Sequence, residues 1–124
     1  MNSKSPKTTL VFGASENPSR YSYLAVNRLL ENHIPVIAIG SRPGKIGNVT
    51  INTELPENSI IDTITLYVAP DRLAPEFSKL LALNPRRMIF NPGTENPHLM
   101  KQASDKGILV EAACTLVLLA TGVY

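Results

Sequence analysis

The sequence contains a single cysteine, no tryptophan and only two histidines. A lone cysteine excludes a disulfide within the chain and removes the cysteine clusters on which many structural zinc sites are built. The histidines, His33 and His98, lie far apart in the sequence, so we expect no dedicated transition-metal site. No run approaches the ~20 continuous apolar residues that a membrane-spanning helix needs.

A strong charge of either sign is also absent. Twelve basic residues face ten acidic ones, the formal net charge is +2, and the mean hydropathy is +0.02. This balance gives no electrostatic basis for binding nucleic acid, and the 44% hydrophobic content is too high for a disordered chain. The first residues lack the apolar segment of a signal peptide. We therefore expect a cytoplasmic protein, with residues 1–6 as a free tail and one domain at 7–124.

Short apolar runs alternate along the chain with longer segments of helical periodicity. The predicted strands are 8–12, 36–39, 64–68, 87–90 and 108–110, and the predicted helices are 22–33, 70–81, 95–106 and 113–120. Asn32 or His33 is expected to form a left-handed turn at the end of the first helix. A basic turn at 41–45 and a short extended piece at 48–51 follow the second strand.

Strands that are apolar throughout are typical of a sheet covered on both faces, and alternation with helices predicts right-handed crossovers. The predicted fold is therefore a single-domain, doubly wound parallel sheet, Rossmann-like, in three α/β/α layers. In such sheets ligands bind beyond the carboxyl ends of the strands. The loops that follow the strands are the candidate site.

The loop after the first strand, residues 13–20, is a candidate phosphate cradle. Gly13 permits a tight turn, Ser15 offers a hydroxyl and an N–H group, and the next helix directs its N-terminus to the same place. The loop lacks both the G-x-G-x-x-G pattern of dinucleotide-binding folds and the Gly-Lys-Ser/Thr of a P-loop. A plain turn followed by a helix cap fits the same residues equally well.

The loop after the second strand bears on the kind of nucleotide. NAD-binding domains commonly place an acidic residue there, whereas this chain has Gly40, Ser41 and Arg42. A cation at this position suits a phosphorylated ribose, as in NADP or coenzyme A. Arg42 and Lys45 alone would also fit a solvated turn; together with Arg20 they form a plausible cluster for a polyphosphate ligand.

The loop at residues 91–96 is dense in residues that form turns and helix caps. Thr94 is a candidate cap for a helix that starts at Glu95. Asn91, Glu95 and Asn96 also offer polar groups to a ligand, and the two interpretations weigh equally. Glu95 has no obvious acid–base partner.

Several spaced motifs together resemble a known family. They are Val-Phe-Gly-Ala-Ser-Glu-Asn-Pro-Ser-Arg-Tyr-Ser at 11–22, Arg-Pro-Gly-Lys-Ile-Gly at 42–47, Val-Ala-Pro at 68–70, Asn-Pro-Gly-Thr-Glu-Asn at 91–96 and Glu-Ala-Ala-Cys-Thr at 111–115. In this order they resemble the small stand-alone CoA-binding proteins of bacteria. Those proteins are similar to the CoA-binding domains of succinyl-CoA synthetase alpha subunits and ADP-forming acyl-CoA synthetases.

The resemblance implies that the ligand is CoA or an acyl-CoA. It implies contacts to the pyrophosphate from Gly13, Ala14, Ser15, Asn17, Pro18 and Arg20. It places Gly40, Ser41 and Arg42 at the adenosine and its 3′-phosphate, and Val68, Ala69 and Pro70 along the adenine and pantetheine path. Many relatives end the second strand in Val-Asn-Pro-Lys; here Arg42 keeps the charge, but the Asn-Pro pair is absent.

We therefore expect a non-catalytic protein that binds CoA or an acyl-CoA. The related synthetases carry their phosphorylated histidine on a separate domain, so His98 is not equated with it. One alternative is an NADP-binding oxidoreductase or a fragment of one, which the absent glycines and the absent proton-transfer pair disfavour. Another is a vestigial site in a protein that acts through assembly. A second copy and an enzyme are both left open as partners.

Cys114 has two interpretations. The favoured one is a small core residue packed among Ala113, Val117 and Leu118. The other is a partly exposed thiol at the start of the last helix, able to form a mixed disulfide with CoA. The apolar stripe at 116–119 is expected to be core or a subunit contact.

Overall fold

A computed structural model describes residues 7–124. The strands are β1 (Thr9–Phe12), β2 (Val36–Ile39), β3 (Gly44–Ile46), β4 (Val49–Asn52), β5 (Thr63–Leu66), β6 (Arg87–Phe90) and β7 (Leu109–Ala112). The helices are α1 (Tyr21–Glu31), α2 (Pro70–Leu73), α3 (Phe77–Leu81), α4 (Pro97–Asp105) and α5 (Thr115–Ala120). A 3₁₀ turn, Ala74–Glu76, joins α2 to α3. Residues 1–6, predicted to be a free tail, lie outside the described residues.

The strands form one sheet in the order β3-β4-β2-β1-β5-β6-β7. Every neighbouring pair is parallel except β3 and β4, which form an antiparallel hairpin at one edge. β1 is central and pairs with β2 on one side and β5 on the other, so the chain order reverses between β1 and β5. The Rossmann-like α/β prediction is confirmed.

The hairpin refines the prediction at one edge of the sheet. Residues 41–45 were predicted to be a basic turn, but Gly44 and Lys45 belong to β3 and pair with β4. The Lys45 N–H group also donates to the Glu16 carboxylate at 2.9 Å. The sequence does carry a local signal for this strand that the analysis overlooked, because Gly47 and Asn48 form the two-residue turn between the paired Ile46 and Val49.

The strands alternate their side chains between two helical layers. On one face, buried residues of β1, β5 and β6 pack against α2, α3 and α4 through Leu73, Phe77, Leu80 and Leu99. On the other face, Val11, Ala38 and Ile51 pack against Val26 and Leu29 of α1, with Leu119 of α5 beside them. Burying aliphatic and aromatic side chains on both sides of the sheet produces the predicted three layers.

The predicted helices are present with shifted ends. α1 ends in a Schellman turn at His33, which has φ of 60° and is exposed rather than on the apolar face. Its N–H donates to the Leu30 carbonyl, and the Ile34 N–H donates to the Leu29 carbonyl. The predicted helix 70–81 is broken by the 3₁₀ turn, where Ala74 is exposed. Within residues 7–124, no helix has the length and apolarity needed to cross a membrane.

α4 begins two residues later than predicted. The Asn96 side chain accepts hydrogen bonds from the N–H groups of His98 and Leu99, and Pro97 is the first helical residue. Asn96, rather than Thr94, is therefore the cap, and Glu95 lies outside the helix. Proline suits this first position because its missing N–H would have no helical partner there.

An ion pair closes the amino end of the sheet, where Asp62 precedes β5. The Arg86 guanidinium donates to the Asp62 carboxylate at 2.9 Å, and the Thr63 hydroxyl donates to it at 2.7 Å. Partial burial acts to raise the pKa of Asp62, but these hydrogen bonds outweigh burial and the pKa is lowered from its ordinary value of 3.8. The ionised carboxylate therefore stabilises the folded state.

We predict that Asp62→Asn destabilises the protein at neutral pH by less than about 1 kcal/mol, because the Arg86 side chain is half exposed. A lowered pKa in the folded state means that the stabilisation is present above the ordinary pKa and is lost as the pH falls through the folded value. Urea unfolding of the original protein and the variant should be measured from neutral pH to about pH 2. The difference between their free energies of unfolding should shrink below about pH 4. A difference that stays constant over this range would contradict the prediction.

Candidate functional site

An open cleft of about 1390 Å³ runs along the carboxyl edge of the sheet. Its walls come from the loop after β1, the start of α1, the loop after β2, the end of β5, the α2–α3 segment and the loop after β6. The four predicted loops therefore meet at one edge, across the point where the strand order reverses. The volume exceeds the ~300–1,000 Å³ of typical small-molecule pockets and suits an extended ligand.

The predicted binding residues line this cleft with two exceptions. Gly13, Ala14, Ser15, Asn17, Arg20, Gly40, Ser41, Arg42, Val68 and Ala69 are in its lining. Pro18 and Pro70 are not, and Pro70 is the first residue of α2. Lys45, predicted as part of the cationic cluster, is exposed on β3 outside the lining. Its position follows from the pairing of β3 with β4, which carries it away from the cleft.

The loop after β1 is shaped by hydrogen bonds among its own side chains. The Ser15 hydroxyl accepts from the Asn17 N–H at 3.1 Å, and Asn17 Oδ1 accepts from the Ser19 N–H and hydroxyl at 3.0 and 2.8 Å. Ser15 thus forms a turn and is not a helix cap. Arg20 occupies the N-cap position of α1 and makes no side-chain cap. The first N–H groups of α1 are therefore left for a ligand or for water.

Two glycines let the backbone pass between β2 and β5. Gly13 has φ of +102°, and a Cβ atom there would lie 2.9 Å from the Tyr67 carbonyl oxygen. A Cβ atom on Gly40 would collide with the Ala14 carbonyl oxygen. The N–H groups of Gly13 and Ala14 both donate to the Ile39 carbonyl at 2.8 Å. Glycine at both positions is required by packing, whatever contacts a ligand adds.

The cleft carries four basic and three acidic side chains: Arg20, Arg42, Arg72 and Lys79, with Glu16, Glu54 and Glu76. Lys79 lies 3.7 Å from Glu76, whereas the three arginines form no ion pair within residues 7–124. Arg72 and Lys79 were missed by the sequence analysis. Their helical spacing opposite the buried stripe of Leu73 and Leu80 is the signal that would have found them.

Asn91 has a structural role and is not in the lining of this cleft. Its side chain is buried, donates to Thr65 Oγ1 at 2.6 Å and to the Leu66 carbonyl at 2.9 Å, and accepts from the Thr115 N–H at 2.8 Å. Thr94 donates its hydroxyl to the Asn91 carbonyl at 2.8 Å. Glu95 accepts from the Gly93 N–H and lies outside the cleft lining. From this loop, Pro92, Gly93 and Thr94 line the cleft.

The remaining candidates lie outside the lining of the cleft. His98 is exposed on α4 and contacts Gln102. Cys114 is half-buried at the N-cap of α5 and lines a second, smaller pocket. Among residues 7–124, no three histidine, cysteine or acidic side chains are grouped so that they could hold a metal ion.

A family model described as a CoA binding domain matches residues 7–120. The chain belongs to this family. The CoA-binding domain is 40% identical to an uncharacterized protein of known crystal structure, with a TM-score of 0.93 and coverage of 98% of this chain and 100% of that one. No curated protein matches it.

Two more distant structures share its fold. One is from Thermus thermophilus (22% identity, TM-score 0.85, covering 96% of this chain and 91% of that one). The other is from Pyrococcus horikoshii OT3 (20% identity, TM-score 0.82, covering 94% and 82%). All these comparisons cover nearly the whole of the CoA-binding domain, so the cleft lies inside the shared fold.

We predict that Gly40→Ala destabilises the CoA-binding domain by about 3 kcal/mol, the upper end of the range for overpacking. The new Cβ would collide with the Ala14 carbonyl oxygen, which belongs to the backbone and has no rotamer to change. Gly47→Ala is the matched control, since a Cβ there meets nothing within 4 Å and only its φ of +58° carries a cost of about 1 kcal/mol. Urea unfolding measures both. Equal losses of stability in the two variants would show that the close approach of Gly40 to the Ala14 carbonyl does not require glycine.

Proposed function

We propose that the cleft binds CoA or an acyl-CoA and that this chain performs no catalysis of its own. The observation that carries the proposal is the position of the uncapped α1 N-terminus, which faces the cleft beside the loop that carries the family motif. The membership of the CoA-binding domain family supports CoA binding in general. The geometry of the cleft is the basis for the finer assignment.

The pyrophosphate belongs at the loop after β1 and the start of α1. α1 has 11 residues, enough for its aligned peptide dipoles to favour an anion at the N-terminus. Tyr21 and Ser22 at that terminus line the cleft together with Ser15 and Asn17. Arg20 lies at the N-cap position and adds a positive charge next to the same backbone N–H groups.

The 3′-phosphate of the ribose belongs at the loop after β2. Arg42 is exposed there, lines the cleft and forms no ion pair with the described residues. Ser41 beside it offers a hydroxyl. An unpaired guanidinium can donate two parallel hydrogen bonds to a phosphate. A carboxylate at the same position would repel the phosphate.

The pantetheine arm belongs across the end of β5 toward the loop after β6. Val68 and Ala69 supply an apolar floor at the end of β5, and Pro92 and Gly93 continue the wall beyond β6. The sheet order places these strands one after the other, so the ligand would cross from β2 over β1 and β5 to β6. Arg72 on α2 faces the same space and is a further cation for the phosphates.

The acidic side chains of the cleft support a binding role more than a catalytic one. Glu16 accepts a hydrogen bond from the Lys45 N–H, and Glu76 lies beside Lys79. Both carboxylates are thus engaged in contacts within the protein, and Glu54, the third acidic side chain of the cleft, is exposed. A carrier, a sensor or the detached partner of a larger enzyme, acting in the cytoplasm, fits such a site. A second copy of the chain or an enzyme would be its partner.

Calorimetric titration tests the ligand class, with CoA, acetyl-CoA, NADP and NAD compared at one salt concentration. We expect dissociation constants for CoA on the order of micromolar or tighter and no detectable binding of either nicotinamide nucleotide. Binding of NADP without CoA would overturn the proposal and favour an oxidoreductase. No binding of any of the four would overturn it and favour a protein that acts through assembly.

A second prediction concerns the 3′-phosphate. Arg42→Ala should weaken CoA by about tenfold and dephospho-CoA much less, because one charge-assisted contact contributes about 1.5 kcal/mol or more. Lys45→Ala is the matched control, since it removes a neighbouring positive charge outside the cleft lining. Equal losses for the two ligands, or equal effects of the two variants, would contradict the assignment of Arg42.

A further inference from the structure

A second pocket of about 240 Å³ adjoins the main cleft. It is lined by Tyr21, Tyr67, Asn91, Pro92, Cys114 and Leu116. Tyr21, Tyr67 and Pro92 line both cavities, so the two are neighbours beside the end of β5 and the loop after β6. Four of its lining residues lie in the motifs at 11–22, 91–96 and 111–115, but they meet only because α5 packs on the sheet.

We propose that this pocket is a subsite for the acyl group of a short-chain acyl-CoA, which makes the thioester, and not free CoA, the preferred ligand. The inference rests on the proposed function of the cleft. A ligand whose 3′-phosphate lies at Arg42 and whose pyrophosphate lies at α1 reaches the end of β6 last. The part of an acyl-CoA farthest from the adenosine is the acyl group, and the pocket opens at that place.

The chemistry of the lining suits a thioester. The Tyr67 hydroxyl is buried and has no hydrogen-bond partner among the described residues. The nearby hydroxyls of Thr65 and Thr115 are paired with each other at 2.7 Å. A buried hydroxyl without a well-formed hydrogen bond is costly. The Tyr67 oxygen has almost no accessible surface in the free protein, so a bound acyl carbonyl would become its acceptor only once the phenol turns from the threonine hydroxyls toward the pocket. A free thiol is a weak acceptor and would not favour that turn.

Tyr67 is a donor at neutral pH. Burial raises the pKa of Tyr67 to about 12, against the opposing effect of the Thr115 and Thr65 hydroxyls. The phenol therefore keeps its proton over the whole physiological range and can donate to a carbonyl. Leu116, Pro92 and the Cys114 side chain provide apolar surface beyond it for the hydrocarbon part of the acyl group.

The size of the pocket limits the chain length. The pocket, at about 240 Å³, is much smaller than the cleft of about 1390 Å³ beside it. An acyl group of a few carbons fits, and a long fatty chain does not. Each methylene that becomes buried should strengthen binding by about fourfold until the pocket is full.

The test is a calorimetric series with CoA and its acetyl, butyryl, hexanoyl and decanoyl thioesters on the full chain. We expect affinity to rise from CoA through the short thioesters and to fall at decanoyl. Equal affinity for CoA and all the thioesters would overturn the acyl subsite while leaving CoA binding intact. Failure of CoA and every thioester to bind would overturn both the subsite and the proposed function.

Tyr67→Phe separates the hydroxyl from the ring. We expect the ratio of butyryl-CoA affinity to CoA affinity to fall by about fivefold, because the donor to the carbonyl is lost. The midpoint of thermal unfolding of the free protein should rise, since a buried hydroxyl without a partner is removed. Tyr23→Phe is the control, because Tyr23 is half-buried on α1 and lines neither cavity. An unchanged affinity ratio for Tyr67→Phe would overturn the role of the hydroxyl.

A second pair of variants tests the volume of the pocket. Leu116→Phe adds bulk to the lining and should move the best-binding thioester to a shorter chain. Val117→Phe adds the same kind of bulk one residue away, at a position that is 56% exposed and outside the lining, and should leave the chain-length optimum unchanged. The same shift in both variants, or no shift in either, would overturn the proposal that this pocket holds the acyl group.

Discussion

The close passage of one loop between two strands is the constraint on which the site depends. The chain leaves β1, turns at Gly13 beneath the Tyr67 carbonyl, and lays the Ala14 carbonyl against the α-carbon of Gly40. The Ile39 carbonyl accepts hydrogen bonds from two successive N–H groups of the turn. A turn held by backbone groups at the ends of both neighbouring strands has little freedom, so it directs the start of α1 toward the cleft without help from a ligand.

A buried polar network supports the other end of the cleft. Asn91 joins the ends of β5 and β6 to the first residue of α5 through Thr65, the Leu66 carbonyl and the Thr115 N–H. Such a network stabilises one arrangement only when its members find partners, because an unpaired buried polar group is costly. Asn91 and the paired threonines meet this condition, and the adjacent Tyr67 hydroxyl does not. Tyr67 is also the residue on which the proposed acyl subsite depends, since its ring lines both cavities.

The main strands and helices were predictable because their signal is local. Apolar runs and helical periodicity are written in neighbouring residues, and the end of α1 at His33 follows from the rule for left-handed caps. The hairpin was overlooked although it has a local signal, since Gly47 and Asn48 form a two-residue turn of a type common in β-hairpins. Gly44 and Lys45 have no strand preference of their own and are held by pairing with β4 and by Glu16.

The candidate site was likewise predicted only in part. Loops at the carboxyl ends of parallel strands must meet, so most of the predicted residues line the cleft. Residue type alone did not distinguish the roles of Asn91 and Asn96. The amide group of an asparagine can bind a ligand, join the ends of strands or cap a helix. Only the tertiary structure decided between them. The small pocket was beyond prediction because it exists only where α5 meets β5 and β6.

The charge of the cleft constrains how an anionic ligand is held. The four basic side chains of the lining are opposed by three acidic ones, so the local excess of positive charge is small. Exposed charges are also screened by salt over about 10 Å, which weakens any long-range attraction. The backbone N–H groups at the α1 N-terminus attract an anion without a formal charge that acidic side chains could neutralise. They also lose little conformational freedom when a ligand binds. Under the proposed binding of CoA, recognition would therefore depend more on a preorganised backbone than on net charge, and Arg42 would add the discrimination for the 3′-phosphate.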